Sequence, residues 1–429
     1  MRVYFLLFYL IASLLVFAQP KTDTLLQNML LRNGNALVQQ FVQQKDSFRL
    51  QIVYTQINRD KYNKPSFKNY YFNTDTSLYF NPASTVKLPL ALLALEKLNS
   101  LQIKDVNKYT PLQIDSNYRK QTAVTTDSTA QNMLPSIAHY IKKAFLISDN
   151  DAYNRLYEFT GQETINRNLN DKGYESLRIT RQFLGLSEEE NRHTNPFRFI
   201  KEDGSLIYIQ PAAYNTDSFY FGRSIKLGKG HYDNRDSLVN EPIDFTKANN
   251  VPLEYLQQML QSVLFPLSVP AKQRFNLSDD DYKFLYQYLS QYPSETNYPK
   301  YDSDQYYNSY VKFYFRNGSQ QVPSYIRVFN KVGWAYGFLI DVSYVVDFKN
   351  KVEFMLSSTL YVNSDGILND DKYDYETIGW PFLYQLGQTV YQYELCRQRQ
   401  HKPDLQKFKL QYEQRNINDK RPVIKNVDN

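Results

Sequence analysis

The sequence predicts an α+β fold: an antiparallel sheet formed from the N- and C-terminal segments, with an all-helical lobe inserted between them. Three observations predict this fold. Strand-like alternation follows helical periodicity near the amino terminus, helical periodicity fills the middle of the chain, and three strand-like runs precede a last helix. At 429 residues, the chain is long enough to bury a large core.

The first residues predict an export signal. Residues 1–18 carry Arg2, a mostly apolar run from Val3 to Phe17 with Ser13 as its one small polar residue, and Ala18 before a polar segment. This run is shorter than the roughly 20 residues that a membrane-spanning helix needs, which favours a cleaved signal peptide over an uncleaved anchor. We therefore expect a periplasmic or secreted protein with no stable membrane insertion after cleavage.

The next elements are a helix or helix pair, two strands and a further helix. Residues 23–45 place apolar side chains at helical spacing, with one break in the middle. Residues 49–60 and 66–80 alternate and are rich in β-formers, which predicts an antiparallel pair. The apolar run 81–99 then predicts a helix.

The middle of the chain is predicted to be helical. Residues 136–159 have helical periodicity on both sides of a polar break, which predicts two helices that meet at a short loop. Helical segments return at 250–264 and 279–292. Before these two segments, residues from about 197 to 240 are loop-rich and aromatic, which indicates an insertion.

The last elements return to the sheet. Residues 323–363 predict three consecutive strands, and a helix is predicted over about 375–395. We therefore expect one domain over residues 19–397, followed by a polar C-terminal tail at 398–429 that is either a frayed helix or disordered.

Composition argues against several classes of protein. The formal net charge is +6 and is evenly spread, which does not indicate nucleic acid as a partner. The only cysteine, Cys396, excludes an internal disulfide framework and a cysteine-based metal cluster. We expect no metal and no cofactor, because the four histidines lack the spacing of metal ligands; they are His139, His193, His231 and His401. The sequence leaves the oligomeric state open.

A serine and a lysine open the apolar helix. Ser84 and Lys87 fall on one face of a helix, so the lysine amine can reach the serine hydroxyl. The N-terminal end of a helix also favours negative charge that develops beside the serine. The same spacing recurs at Ser309 and Lys312 without a helix start, and we interpret that pair as a chance match.

Two further motifs accompany this pair. A Ser-Asp-Asn triplet at 148–150 lies at the predicted helix junction, and a Lys-Val-Gly triplet at 331–333 lies on the first of the last three strands. S-x-x-K, S-D-N and K-T-G form the signature of class A β-lactamases and penicillin-binding proteins. The chain therefore resembles the class A β-lactamase-like serine hydrolases of this superfamily. Residues 178–183, RITRQF, also resemble the segment that leads into the family's Ω-loop.

The resemblance implies a role for each motif residue. Ser84 would attack a carbonyl and form an acyl-enzyme. Lys87 would accept the serine proton, with the positive charge of Lys331 keeping its amine partly neutral. Ser148 would pass a proton between Lys87 and the leaving nitrogen, and Asn150 would hold a substrate amide carbonyl.

The third motif departs from the family pattern. The resemblance implies an oxyanion hole made by the backbone N–H groups of Ser84 and Trp334, the residue after Gly333. Val332, however, replaces the Thr or Ser whose hydroxyl helps to bind a substrate carboxylate. We expect that recognition of this carboxylate is weakened or that the substrate is different.

A second departure concerns deacylation. The family uses an Ω-loop glutamate, with an asparagine four residues on, to activate the hydrolytic water. Residues 186–197 contain three glutamates, none with that asparagine, and Glu190 with Asn195 is the nearest approach. Glu190 is thus the candidate base, and a solvated acidic turn is the alternative interpretation.

The sequence therefore predicts an exported serine hydrolase that acts through an acyl-enzyme on an amide or β-lactam-like bond of a small-molecule or peptide substrate. Two alternatives stay open. A cell-wall D,D-peptidase or penicillin-binding protein would share the chemistry, whereas a non-catalytic module on the same fold would use the aromatic insertion to hold a glycan or a protein. Taken singly, the motifs also fit a helix start, a helix cap and a solvated strand lysine.

Overall fold

The computed structural model describes residues 20–318, 321–416 and 418–427. The predicted signal peptide at 1–18 lies outside the described residues. In the described part of the chain, the α-helices are α1 (Thr24–Asn33), α2 (Ala36–Gln43), α3 (Lys87–Leu101), α4 (Ile137–Leu146), α5 (Asn150–Thr160), α6 (Gln162–Asp171), α7 (Leu253–Leu264), α8 (Asp279–Ser290) and α9 (Trp380–Cys396).

The strands are long in the main sheet and short elsewhere. They are β1 (Gln51–Arg59), β2 (Pro65–Phe72), β3 (Leu112–Ile114), β4 (Phe197–Ile200), β5 (Leu206–Gln210), β6 (Lys226–Leu227), β7 (Gly230–Tyr232), β8 (Leu238–Val239), β9 (Ile243–Asp244), β10 (Ile326–Ala335), β11 (Phe338–Asp347), β12 (Val352–Tyr361) and β13 (Ile367–Leu368).

Both ends of the chain meet in one five-stranded sheet of order β10-β11-β12-β1-β2, and every neighbouring pair is antiparallel. Helices α1, α2 and α9 pack together on one face, while α7 and α8 contact the sheet from the side of the helical lobe. The predicted α+β fold class is confirmed. The lobe also carries a small sheet of order β3-β4-β5, which adds short strands to its helices.

Helix α3 lies at the centre of the lobe. Its residues from Lys87 to Leu95 are all buried, because the sequence KLPLALLAL is apolar on every side except for the lysine. A helix that is apolar all round must be covered on all sides, and α3 contacts α4, α5, α6 and α7. The buried helix holds its first turn at the boundary between lobe and sheet.

The segment after Arg397 packs onto the body of the protein. Leu405 and Phe408, three residues apart, are buried in the main core. The Phe408 ring lies 5.0 Å from that of Tyr344, and Lys407 Nζ donates to the Leu264 carbonyl at 2.9 Å. The polar tail therefore differs from the expected frayed or disordered segment, because two apolar residues anchor it.

No helix within the described residues is long and apolar enough to cross a membrane.

Candidate active site

Ser84 lies on a tight turn that leads directly into α3. This 3₁₀ turn, Ala83–Val86, begins with Ala83 in a left-handed conformation (φ 44°), whose N–H donates to Asn81 Oδ1 at 2.9 Å. Lys87 follows as the first residue of α3 and is fully buried. Its Nζ lies 2.8 Å from Ser84 Oγ, so the two residues of the first motif are in hydrogen-bond contact.

The second motif forms the turn between α4 and α5. Ser148 has a left-handed backbone (φ 68°), and the Asp149 side chain caps α5. This geometry directs the neighbouring side chains toward Lys87, whose Nζ donates to Asn150 Oδ1 at 2.8 Å and to Ser148 Oγ at 3.2 Å. It also donates to the Ser148 carbonyl. Because its carbonyl oxygen is engaged, the Asn150 amide has its N–H₂ to offer to a substrate carbonyl.

The third motif brings a second amine to the same hydroxyl. Lys331 extends from β10, and its Nζ donates to Ser148 Oγ at 2.9 Å and to the Val332 carbonyl at 2.8 Å. Burial lowers the pKa of Lys331 well below its usual range, and the positive charges of Lys87 and Lys312 lower it further. The site therefore disfavours a positive charge on both Lys87 and Lys331 at the same time. One of the two amines is then favoured in its neutral form beside the serines.

Gly333 allows the strand to approach Ser84. A Cβ atom at this position would lie 2.9 Å from the Ser84 backbone nitrogen and 2.9 Å from the Pro82 carbonyl oxygen. The backbone of β10 thus runs beside the N–H group expected in an oxyanion hole. The contribution of the Trp334 N–H stays a prediction; its ring packs edge-on against Tyr310 at 5.9 Å.

The structure corrects the role expected for Val332. Successive side chains on a strand point to opposite faces, and Lys331 and Gly333 face the site. Val332 accordingly points away, is fully buried, and belongs to the apolar cluster that contains Leu383 of α9. Its side chain therefore does not border the substrate.

The structure also corrects the assignment of Glu190. Its Oε2 accepts the Ser187 N–H at 2.8 Å and lies 3.8 Å from Lys120 Nζ. The hydrogen bonds from Ser187 lower the pKa of this carboxyl. Glu190 is thus bound within its own loop instead of contacting Ser84, which agrees with the alternative interpretation as an acidic turn.

The sequence analysis missed Phe183, which borders the site. Its ring centroid lies 5.1 Å from Lys87 Nζ and stacks on Tyr153 at 4.3 Å. The Phe183 N–H donates to Asn154 Oδ1 at 2.8 Å, which fixes the loop against α5. The signal was present at the end of RITRQF, but only the fold shows that this residue reaches the lysine.

One family model matches part of the chain. Residues 36–204 match the model of the Beta-lactamase enzyme family, a stretch that contains the first two motifs and ends before Lys331. This part of the chain is β-lactamase-like. The resemblance expected from the three motifs is confirmed, and the family match is independent of the third.

Several solved β-lactamases are similar to this chain at low identity. The β-lactamase from Sphaerobacter thermophilus DSM 20745 is 13% identical, with 82% of this chain and 95% of that chain covered and a TM-score of 0.44. An ancestral class A β-lactamase (GNCA) is 15% identical, with coverages of 83% and 99% and a TM-score of 0.44. The β-lactamase from Desulfarculus baarsii DSM 2075 is 13% identical, with coverages of 82% and 94% and a TM-score of 0.43. No curated relative matches the chain.

The described residues contain no group of three or more His, Cys, Asp or Glu side chains that could hold a metal ion.

Proposed function

We propose that this protein is an exported serine hydrolase that opens an amide or β-lactam-like bond through an acyl-enzyme. The observation that carries the proposal is the contact between Lys87 Nζ and Ser84 Oγ at 2.8 Å, with Ser148 Oγ within 3.2 Å of the same amine. Nucleophile, base and proton relay are thus in hydrogen-bond reach of one another.

The acylation step follows from these contacts. Neutral Lys87 takes the proton of Ser84 as Oγ forms a bond to the carbonyl carbon of the substrate. The Ser84 backbone N–H donates a hydrogen bond to the oxyanion of the tetrahedral intermediate. When the C–N bond breaks, Ser148 donates its proton to the leaving nitrogen and takes one from Lys87, so protons and charge balance. Lys331, hydrogen-bonded to Ser148, orients the relay.

One observation favours a long-lived acyl-enzyme, as in a penicillin-binding protein, over rapid turnover. Phe183 presents an aromatic ring to Lys87, and a ring cannot deprotonate water. Glu190, the base expected from the sequence, accepts a hydrogen bond from the Ser187 N–H. We therefore propose slow deacylation, with a cell-wall peptide or a β-lactam as the acyl donor.

Export is supported by the apolar run in residues 1–18, with cleavage after Ala18. Mass determination of protein recovered from the exported fraction tests this: a chain that begins at Gln19 is expected, and an intact Met1 would contradict cleavage.

The chemistry is tested by intact-mass spectrometry during incubation with a fluorescent penicillin. We expect a stable adduct on the wild type that is lost in Ser84→Ala. Ser309→Ala, which changes the serine of the other S-x-x-K pair, is the matched control and should keep the adduct. Labelling that survives Ser84→Ala would remove Ser84 as the nucleophile, and no labelling of any variant would favour the non-catalytic module.

A further inference from the structure

Strand β10 arranges the site in a linear order. Lys331 contacts Ser148, and Gly333 lies against Ser84. Tyr336 follows in the turn directly after the strand, three residues beyond Gly333. Because Ser148 serves the leaving nitrogen, the part of the substrate that stays on the serine extends toward Tyr336.

An aromatic row continues from Tyr336 away from the site. Its ring packs edge-on against Phe245 at 5.1 Å, and Phe245 packs against Tyr79 at 5.9 Å. The Tyr79 carbonyl accepts Arg49 Nη1 at 3.2 Å. This row therefore connects the end of β10 to a guanidinium group.

Four arginines surround this row, and we call them the arginine rim: Arg49, Arg178, Arg181 and Arg223. Arg178 Nη2 donates to the Thr246 carbonyl at 2.7 Å, beside Phe245. Arg181 lies two residues before Phe183, and Arg223 comes from the aromatic insertion. The rim thus draws on the turn before β1, the segment that leads to Phe183, and the insertion.

The rim residues are close enough to affect one another electrostatically. Burial lowers the pKa of Arg49 and of Arg178, and the charge of Arg223 lowers both further. The charge of Arg181 also acts on the aromatic row. Burial raises the pKa of Tyr79 and of Tyr336, and the charge of Arg181 lowers both pKa values. The Arg178 guanidinium also lies over the Phe221 ring at 5.1 Å, two residues before Arg223, so the positive charges lie in one region.

No carboxylate of the described residues neutralises their charge. Among the described residues, none of the four guanidinium groups is within 4 Å of a carboxylate, and the hydrogen bonds of Arg49 and Arg178 go to backbone carbonyls. The neighbouring Glu188 is paired with Lys247 at 2.8 Å. Arg181 and Arg223 are exposed, so a ligand can reach them.

We propose that the arginine rim binds an anionic group, a carboxylate or a phosphate, carried on the acyl part of the substrate. Guanidinium groups bind such oxyanions by paired hydrogen bonds, and several convergent cations raise the local concentration of anions. This inference rests on the proposed function for the direction of the acyl part. The proposal also assigns a function to the aromatic insertion, because Arg223 belongs to this insertion.

The test compares two penicillins in the Ser84→Ala protein, where binding is separated from acylation. Benzylpenicillin and carbenicillin differ by one carboxylate on the acyl side chain. We expect calorimetry to give a dissociation constant at least about tenfold lower for carbenicillin, the size of one or two charge-assisted hydrogen bonds. Arg181→Gln with Arg223→Gln should abolish the preference, and Arg235→Gln, an exposed arginine of the insertion outside the rim, should keep it.

The outcomes separate this inference from the proposed function. Equal affinities, binding of neither penicillin, or a preference that survives the double variant would overturn the rim. A rim-dependent preference in Ser84→Ala together with no adduct on the wild type would leave the anion site standing and refute the acyl transfer. An adduct without any preference would do the reverse.

Discussion

At the scale of single residues, we propose that Phe183 prolongs the lifetime of an acyl group on Ser84. Its ring borders the site, with the ring centroid 5.1 Å from Lys87 Nζ. We expect Phe183→Glu to shorten the lifetime of the penicillin adduct at least about tenfold, because a positioned general base typically contributes 10²- to 10⁴-fold. Time-resolved mass spectrometry measures this lifetime.

Phe183→Leu is the matched control for that variant. It removes the ring without adding a carboxylate, so its adduct should decay at the wild-type rate. Equal lifetimes for the Glu and Leu variants would show that the carboxylate is not placed to activate water.

Val332 is a core residue, although its motif suggests a substrate contact. We expect Val332→Thr to lower the free energy of unfolding by about 1–3 kcal/mol, because a hydroxyl would be buried without a partner in the cluster that contains Leu383. Urea denaturation measures this loss. The rate of penicillin acylation should not rise.

Val328→Thr provides the comparison on the same strand and face, at an equally buried position. Both variants should lose stability, and neither should gain activity. Faster acylation in Val332→Thr alone would show that the side chain at 332 does reach the substrate.

At the scale of elements, β10 contacts the turn before α3 at the place where we propose the oxyanion hole. A Cβ at Gly333 would meet the Pro82 oxygen and the Ser84 nitrogen, both at 2.9 Å, and backbone atoms cannot swing aside. We expect Gly333→Ala to displace Ser84 and to lower the second-order acylation rate constant about 100-fold. Circular dichroism should still show a folded protein.

Gly185→Ala is the control for this contact. No heavy atom lies within 4 Å of a Cβ built there, so the acylation rate should stay at the wild-type value. A Gly333→Ala protein that acylates as fast as Gly185→Ala would show that the close approach is not required.

The sequence predicted these elements where local signals decide them. Periodicity identified the strands, the broken pair α4 and α5, and the buried helix after Ser84, and the motifs predicted that Ser84, Lys87, Ser148 and Lys331 would meet. Phe183 and the arginine rim were not predicted from the sequence. These residues lie in loops and turns, and loops leave no periodic pattern in the sequence. Glu190 was predicted from its spacing to Asn195 alone, and spacing along the sequence does not show which way a side chain points.

At the scale of the whole molecule, the lysine that we interpreted as a chance match is part of the core. Lys312 is buried, and its Nζ donates to the Leu289 carbonyl at 2.8 Å, the Val328 carbonyl at 2.9 Å and Asn330 Oδ1 at 2.7 Å. Burial lowers the pKa of Lys312 to about 7. Burial also raises the pKa of nearby Asp341 to about 6.

These shifts predict how stability depends on pH. Below about pH 7, Lys312 is protonated in both the folded and the unfolded chain; between about 7 and its ordinary 10.5, only the unfolded chain holds the proton. The free energy of unfolding should therefore rise with pH across this window. Lys97, whose pKa burial lowers to about 8, adds to the rise, whereas Asp341 is ionised above about pH 6 in both states and adds no slope.

Urea unfolding at pH 6.5, 8 and 9.5 measures this rise, and two lysine variants assign it. Lys312→Met should reduce the slope without abolishing it, because Lys331 and Lys97, whose pKa values burial also lowers, still contribute to the rise. Lys283→Met, at an exposed position of α8, should leave the slope unchanged. A flat wild-type profile would mean that the folded chain retains the proton on Lys312, and equal slopes in both variants would assign the rise to other groups.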